Sequence, residues 1–582
     1  MATVADILTK NLDIWTSAIE RRSTAGRGRS KKFSLYGIEK LRALILDLAV
    51  RGKLVPQDTS NEPASALFAQ IKRERKELIA SGKIGKARDF HRALSATPFE
   101  VPSNWIWIQI SDIGHDWGQK TPDADFTYID VGSIDQHLGR VDEPSVLDAQ
   151  SAPSRARKCV REGTIIYSTV RPYLLNIAII DRNFDPEPIA STAFAVVHPF
   201  SGVISSFVYR YLRSPPFVDY VEACQTGIAY PAINDKQFYS APFPLPPVAE
   251  QHRIVAKVDE LMALCDRLEA QTYDAIEAHE LLVGNLLATL TRSQNANELA
   301  ENWARIETHF DTLFTTEASI DQLKQTILQL AVMGKLVPQD PNDEPASELL
   351  KRALRERMRQ SKARRIRGDF IPETPSSSSL GGQLPDTWTT CALGQISIIT
   401  DPNPSHRYPD YKNGTVPILS TQEFVDMDGW DPSSAKLTTT EFFEFQREHC
   451  DFEDGDIVFA RKGRLGLPRF LPKLDSFTFS HTVFIIKPMP SILPEFVLWL
   501  LRLDATIDWL MNEMNKNTGV PTLGKAKTER LPLALPPFSE QKRIVSKIED
   551  MFRMCDHLQN TLRNARSLEV NLAFAVASKA VA

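Results

Sequence analysis

Two kinds of side-chain cluster in this sequence could do chemistry. His449-Cys450 stands beside Asp451, Glu453, Asp454 and Asp456, residue types that ligate metals or pair a nucleophile with a base. An acidic run of this kind is ordinarily a solvated turn, here leading into a strand, and that is the reading adopted. The second kind is basic and polar. Arg155, Arg157, Lys158 and Arg161 are followed by Arg171 and Tyr173, with Tyr230, Asn234 and Lys236 downstream. Further on, ARKGRLGLPRF holds Arg461, Lys462, Arg464 and Arg469, and Lys516, Asn517, Lys525, Lys527 and Arg530 follow. Guanidinium forks match guanine edges, amides match adenine, and lysine suits phosphate. On that chemistry the candidate DNA-binding residues are Arg155, Arg157, Lys158, Arg171, Tyr173, Tyr230, Asn234, Lys236, Arg461, Lys462, Arg464, Arg469, Asn517, Lys525 and Lys527. Gly463 and Gly466 would let a loop approach a DNA backbone closely. Solvated surface charge is the competing reading for any one of these residues.

No catalytic or metal set emerges. The chain has no GxxxxGK[ST] phosphate loop and no [DN]PP[YF] motif of the kind amino-methyltransferases use; Asp401-Pro402-Asn403-Pro404 is a proline turn. No glycine fingerprint opens a cofactor-binding βαβ unit. The six cysteines are isolated, with no CxxC pair, which fits a reducing compartment and no structural zinc. The start MATVADILTKNLDIW lacks the pattern of a secretory signal, and no apolar run is long enough to span a bilayer; a cytoplasmic protein without membrane contact is expected. The net charge of −5 weighs against a nucleic-acid binder, but net charge averages over local basic surfaces. Acidic residues outnumber basic ones in the first variable region, so any DNA face there must be local.

The elements that must position these residues come in two copies. Gly52-Lys53-Leu54-Val55-Pro56-Gln57-Asp58 recurs as Gly334-Lys335-Leu336-Val337-Pro338-Gln339-Asp340, and Glu62-Pro63-Ala64-Ser65 as Glu344-Pro345-Ala346-Ser347. LRALILDLAV from Leu41 answers LKQTILQLAV from Leu323. Leu245-Pro246-Pro247, Glu250-Gln251 and Arg253-Ile254-Val255 return as Leu535-Pro536-Pro537, Glu540-Gln541 and Arg543-Ile544-Val545. Weaker echoes link PSNW with PDTW and GTIIYS from Gly163 with GDIVFA from Gly455. Helix blocks repeat closely, whereas the regions between them repeat only in outline. A common frame holding two different surfaces is implied.

After each LPP the chain reads as a long helix. Ile254, Val258, Leu261, Cys265, Leu268, Thr272, Ala275, His279, Leu282 and Leu286 follow a coiled-coil seam, as do Ile544, Ile548, Met551, Cys555, Leu558, Leu562, Ala565 and Leu572. Cys265, Cys555 and His279 read as packed seam residues. About 40 helical residues would extend about 60 Å. Ile320–Met333 is amphipathic, Gly334 can end it in a left-handed cap, and a charged helix restarts at Pro345. The first long helix is expected to pair antiparallel with Ile320–Arg367, and the C-terminal helix with the N-terminal segment. Short β-runs occur at Gly163–Val170, Ala190–Val197, Asp456–Ala460 and Thr482–Lys487, with helical patches near Ile204–Cys224 and Pro494–Met514. Ile371–Gln383, rich in Pro, Ser and Gly, reads as a flexible joint. The division is 1–100, an N-terminal helical region pairing with the C-terminal helix; 101–247, a first variable domain; 248–383, a central helical region; 384–537, a second variable domain; and 538–582, the C-terminal helix.

The LPPxxEQxRIV-type blocks, the GKLVPQ blocks and TGxAYPAI (Thr226–Ile233) resemble the specificity subunit of type I restriction–modification systems over nearly the whole chain. The resemblance implies an α+β fold: two α/β target-recognition domains separated by two long antiparallel coiled-coil regions with pseudo-twofold symmetry. It implies that each domain reads one half of a bipartite double-stranded DNA target, while the helices set the gap. Two methyltransferase (modification) subunits carrying S-adenosylmethionine and two restriction subunits using ATP and magnesium are the implied partners. The chain itself would hold no cofactor and do no catalysis. A related system with a fused methyltransferase–nuclease, a coiled-coil adaptor without a DNA role, and a DNA methyltransferase with a hidden active site are the alternatives. Thr518–Leu523 is shorter than Thr226–Ile233, so the two halves are expected to read different sequences.

Overall fold

A computed structural model describes residues 10–21, 33–58, 60–85, 97–227, 231–294, 296–363, 370–376, 384–404, 409, 411–463, 465–514 and 521–581. The chain divides into two compact units, residues 1–275 with 564–582, and residues 276–563. Among the described residues no helix is long and apolar enough to cross a membrane.

In the first unit, α1 (Tyr36–Val50) and α2 (Ala64–Ala80) precede a mixed α/β domain. Its strands include β1 (Ala156–Cys159), β2 (Ile165–Ser168), β3 (Pro188–Ser191) and β4 (Phe194–Pro199). β2 lies inside a six-stranded sheet, antiparallel to β4 with Ile165 opposite Val197. Strand alternation sends Ile165 and Tyr167 into the large core of the unit and Ile166 into a second core on the opposite face. Burial on both faces is why GTIIYS reads as a continuous apolar run. α3 (Ser205–Leu212) and α4 (Asp235–Tyr239) cover the domain, and α5 (Val248–Arg292) leaves it.

The second unit repeats the plan. It contains α6 (Glu317–Val332), α7 (Ala346–Ala363), β5 (Ile457–Ala460), β6 (Val483–Pro488), α8 (Pro494–Leu501), α9 (Lys525–Glu529) and the first part of α10 (Phe538–Val581), whose residues from Asn564 on belong to the first unit. β5 is antiparallel to β6, with Ile457 and Phe459 in the large core and Val458 and Ala460 in the smaller one.

The repeated motifs are fasteners. α1 ends at Gly52 (φ +68°) and α6 at Gly334 (φ +67°), the left-handed conformation that glycine tolerates. A Cβ on either would strike Pro102 or Pro385 at 2.5 Å, which ties each glycine to the P-x-x-W turn of its own unit. Lys53 Nζ donates to the Val581 carbonyl near the end of α10 (2.7 Å), and Lys335 Nζ to the Thr291 and Ser293 carbonyls at the end of α5 (2.9 Å each). Cations belong at these otherwise unpaired carbonyls. Gln57 and Gln339 donate to the buried carboxylates of Glu250 and Glu540. Gln251 accepts from the Ile204 amide before α3 (2.9 Å), and Gln541 from the Leu493 amide before α8 (3.0 Å). Each helix block is thereby bonded to the variable domain of its own unit.

The seam differs from its expected phase. Ile254, Val258, Leu261 and Cys265 are buried, but Leu282 is 52% exposed and Val283 only 1%. In α10, Leu572 is 48% exposed and Ala573 is buried. A straight helix drifts by about 20° per heptad from a strict seven-residue repeat. Four heptads from Ile254 the buried position has therefore moved on by nearly one residue. His279 is only partly buried rather than packed in a core. The expected flexible joint also differs, because Thr374 Oγ1 accepts from Gln395 (3.0 Å) and the Pro375 carbonyl accepts from Thr390 (3.0 Å); residues 377–383 of that stretch lie outside the described residues.

Candidate nucleic-acid interface

At the C-terminal end of β2 four segments converge. The Thr169 amide donates to the Ala193 carbonyl in the β3–β4 turn (2.9 Å), and the Thr192 amide donates to the Arg155 carbonyl just before β1 (2.8 Å). Ile233 and Arg171 close the other side: the Ile233 amide donates to Thr169 (3.0 Å) and the Arg171 amide to Pro231 (2.8 Å). Val170 and Ala232 form a β-bridge. Arg155, Arg171, Asn234 and Lys236, scattered over some eighty positions of sequence, are thus carried on segments that these backbone bonds gather around the C-terminal end of β2.

The same backbone knot recurs in the second domain. The Arg461 amide donates to Thr482 (2.9 Å), the Leu523 amide donates to Arg461 (2.9 Å), and Lys462 bridges Thr522. Thr169, Val170, Ala232 and Ile233 therefore correspond to Arg461, Lys462, Thr522 and Leu523. The frame is shared, and the side chains on it are not.

The placement of each candidate follows from these contacts. Arg155 and Lys236 are exposed and Arg157 and Arg171 half-buried. Tyr173 is 47% exposed. Lys158 is buried, 3.7 Å from Asp235, so it neutralises the start of α4 instead of meeting solvent. Asn234 caps α4, accepting from the Gln237 amide (3.0 Å). Arg461 is buried in an ion pair with Asp401, its guanidinium 4.3 Å from the Phe484 ring. Arg469 is fully buried: it donates to the Gly429, Val425 and Asp426 carbonyls and lies 3.8 Å from the Phe424 ring. Desolvation pulls its guanidinium down to about 10. Arg461 and Arg469 were expected at the surface; these contacts make them structural. Lys462 and Lys525 are half-buried and Lys527 is exposed; Lys525 pairs with Glu529 (3.6 Å) and Lys527 with Glu513 (3.5 Å). Tyr230, Arg464 and Asn517 lie outside the described residues.

Residue-type reasoning missed apolar surface. Val170 (41%) and Leu174 (40%) are exposed beside Tyr173, and their signal in sequence, an apolar loop after a buried strand, is weak. The acidic run also departs from a purely solvated turn, because Asp456 is buried against Lys487 at 3.1 Å. Among the described residues no group of His, Cys, Asp and Glu is arranged to hold a metal ion.

The profile described as the type I restriction modification DNA specificity domain matches the chain twice, at residues 102–278 and 385–565. The type I restriction enzyme EcoEI specificity subunit of Escherichia coli is 36% identical over 610 residues, covering 99% of this chain and 100% of that one. The EcoAI specificity subunit of Escherichia coli is 34% identical over 609 residues, covering 100% of both. A solved HsdS subunit from Thermoanaerobacter tengcongensis is 21% identical, covering 84% of this chain and 99% of that one, with a TM-score of 0.42.

Proposed function

The chain belongs to the type I restriction–modification specificity family, and on that premise we propose that each recognition domain reads one half of a bipartite duplex target while the helical frame fixes the gap. The observation that carries this reading is the shared knot at the end of β2 and β5. One backbone arrangement presents Val170, Arg171 and Tyr173 in one domain and Lys462 in the other. Equal frames with unequal faces suit two unlike half-sites.

Further parts of the reading concern the assembly. The chain is a non-catalytic cytoplasmic subunit that binds no cofactor itself. Two modification subunits supply S-adenosylmethionine chemistry, docking on the helices, and two restriction subunits supply ATP- and magnesium-dependent cleavage. Titration of the assembled complex against duplexes with both halves, either half or neither half intact tests the central part. Loss of specific binding on altering either half is the expected result, and indifference to one half would overturn it. Calorimetry of the isolated chain with S-adenosylmethionine should register no binding.

A further inference from the structure

Resting on the reading of the chain as a DNA specificity subunit, we infer that the first domain contacts the bases of its half-site through the uncharged side chains of Val170, Tyr173 and Leu174 at the tip of the loop after β2, beside half-buried Arg171. The second domain, at the equivalent step, relies on lysine. The tip is stiff. Arg171 (φ +49°) and Leu175 (φ +52°) both take the left-handed conformation that such residues seldom adopt, so the surrounding structure must dictate it. The Leu174 amide donates to Arg171 and the Leu175 amide to Pro172 (3.0 Å each), and Ser168 Oγ donates to the Val170 carbonyl (2.9 Å). Pro172 is buried beneath the turn. A loop already ordered loses little freedom when it binds.

The setting points to duplex DNA as the occupant. Exposed Arg155 and Lys236 are carried on the segments bonded to the same strand end, which suits a polyanion rather than an apolar protein face. Apolar side chains discriminate sequence by meeting thymine methyls or by wedging between base steps. They release no counterions in doing so. At the corresponding place the second domain has Lys462 and then Gly463 (φ +76°), a cation beside backbone that can come close to phosphate.

The assembled complex, with its target mapped by methylation, provides the test. Tyr173→Ala with Leu174→Ala should lower affinity for the intact target about tenfold or more, within the range of one lost base contact. It should remove most discrimination against a scrambled first half-site and leave the slope of log K against log salt unchanged. Tyr173→Phe with Leu174→Met should keep the apolar surface and bind like the parent. Lys462→Ala should instead reduce the salt slope by about one. Retained discrimination in the alanine variant would overturn the inference, as would failure of that variant to assemble, which would place the tip at a protein interface. If the parent complex itself showed no half-site discrimination, the specificity reading would be at fault rather than the tip.

Discussion

Arg469 and Lys462 stand a few residues apart in a run that looks uniformly basic, yet they have opposite duties. Arg469→Ala removes a buried guanidinium that satisfies four carbonyls, of Leu467, Val425, Gly429 and Asp426, and should cost about 3 kcal/mol in urea unfolding without altering the salt slope of DNA binding. Lys462→Ala should do the reverse. Residue type announced positive charge but not its availability, because availability depends on Asp401, Phe424 and other partners remote in sequence. A second case is His198, whose ring lies 5.3 Å from His115 and 4.8 Å from Trp117, with Nδ1 3.0 Å from Thr164 Oγ1. Burial, then the His115 and Arg161 charges, push it down to about 4. A histidine depressed in the folded state contributes stability above its unfolded value near 6.5, and that contribution is lost as pH falls toward 4. His198→Gln should therefore show a shallower loss of thermal stability across that interval than the parent.

The long helices are set by local fastening as much as by their apolar stripes. A sharp test lies in adjacent residues: Val283→Asp buries a charge and should cost about 3–5 kcal/mol, whereas Leu282→Asp should fall within about 0.5 kcal/mol of the parent. Equal effects in chemical unfolding would return the seam to its heptad phase. The sequence does disclose the helices, the glycine caps and the central strands, since periodicity and φ requirements are local. It does not disclose that Gln57 meets Glu250 or Lys335 meets Thr291, because hydrogen bonds between distant segments leave no spacing to read. Thr374 and Pro375 make the same point: composition suggested a joint over Ile371–Gln383, and two hydrogen bonds hold these two residues of its described part.

At the level of the whole molecule, duplication separates what must stay equal from what is free to differ. Both GKLVPQ and both EQ motifs serve the frame, which explains their close repetition. The strand ends they leave exposed carry unlike chemistry. A net charge of −5 is compatible with DNA binding because net charge averages over local basic surfaces, such as exposed Arg155 and Lys236 beside the end of β2. The fold class and the family were legible from the repeats, while the availability of the candidate side chains was not: three of the fifteen, Lys158, Arg461 and Arg469, are buried against partners, and Asn234, though exposed, caps α4. The most direct measurement is the map of adenines methylated by the assembled complex across a random-sequence library. Two different short sequences separated by a gap of fixed length and free composition are the expected result. A single uninterrupted site, or a palindrome, would contradict the division into one frame and two unlike reading faces.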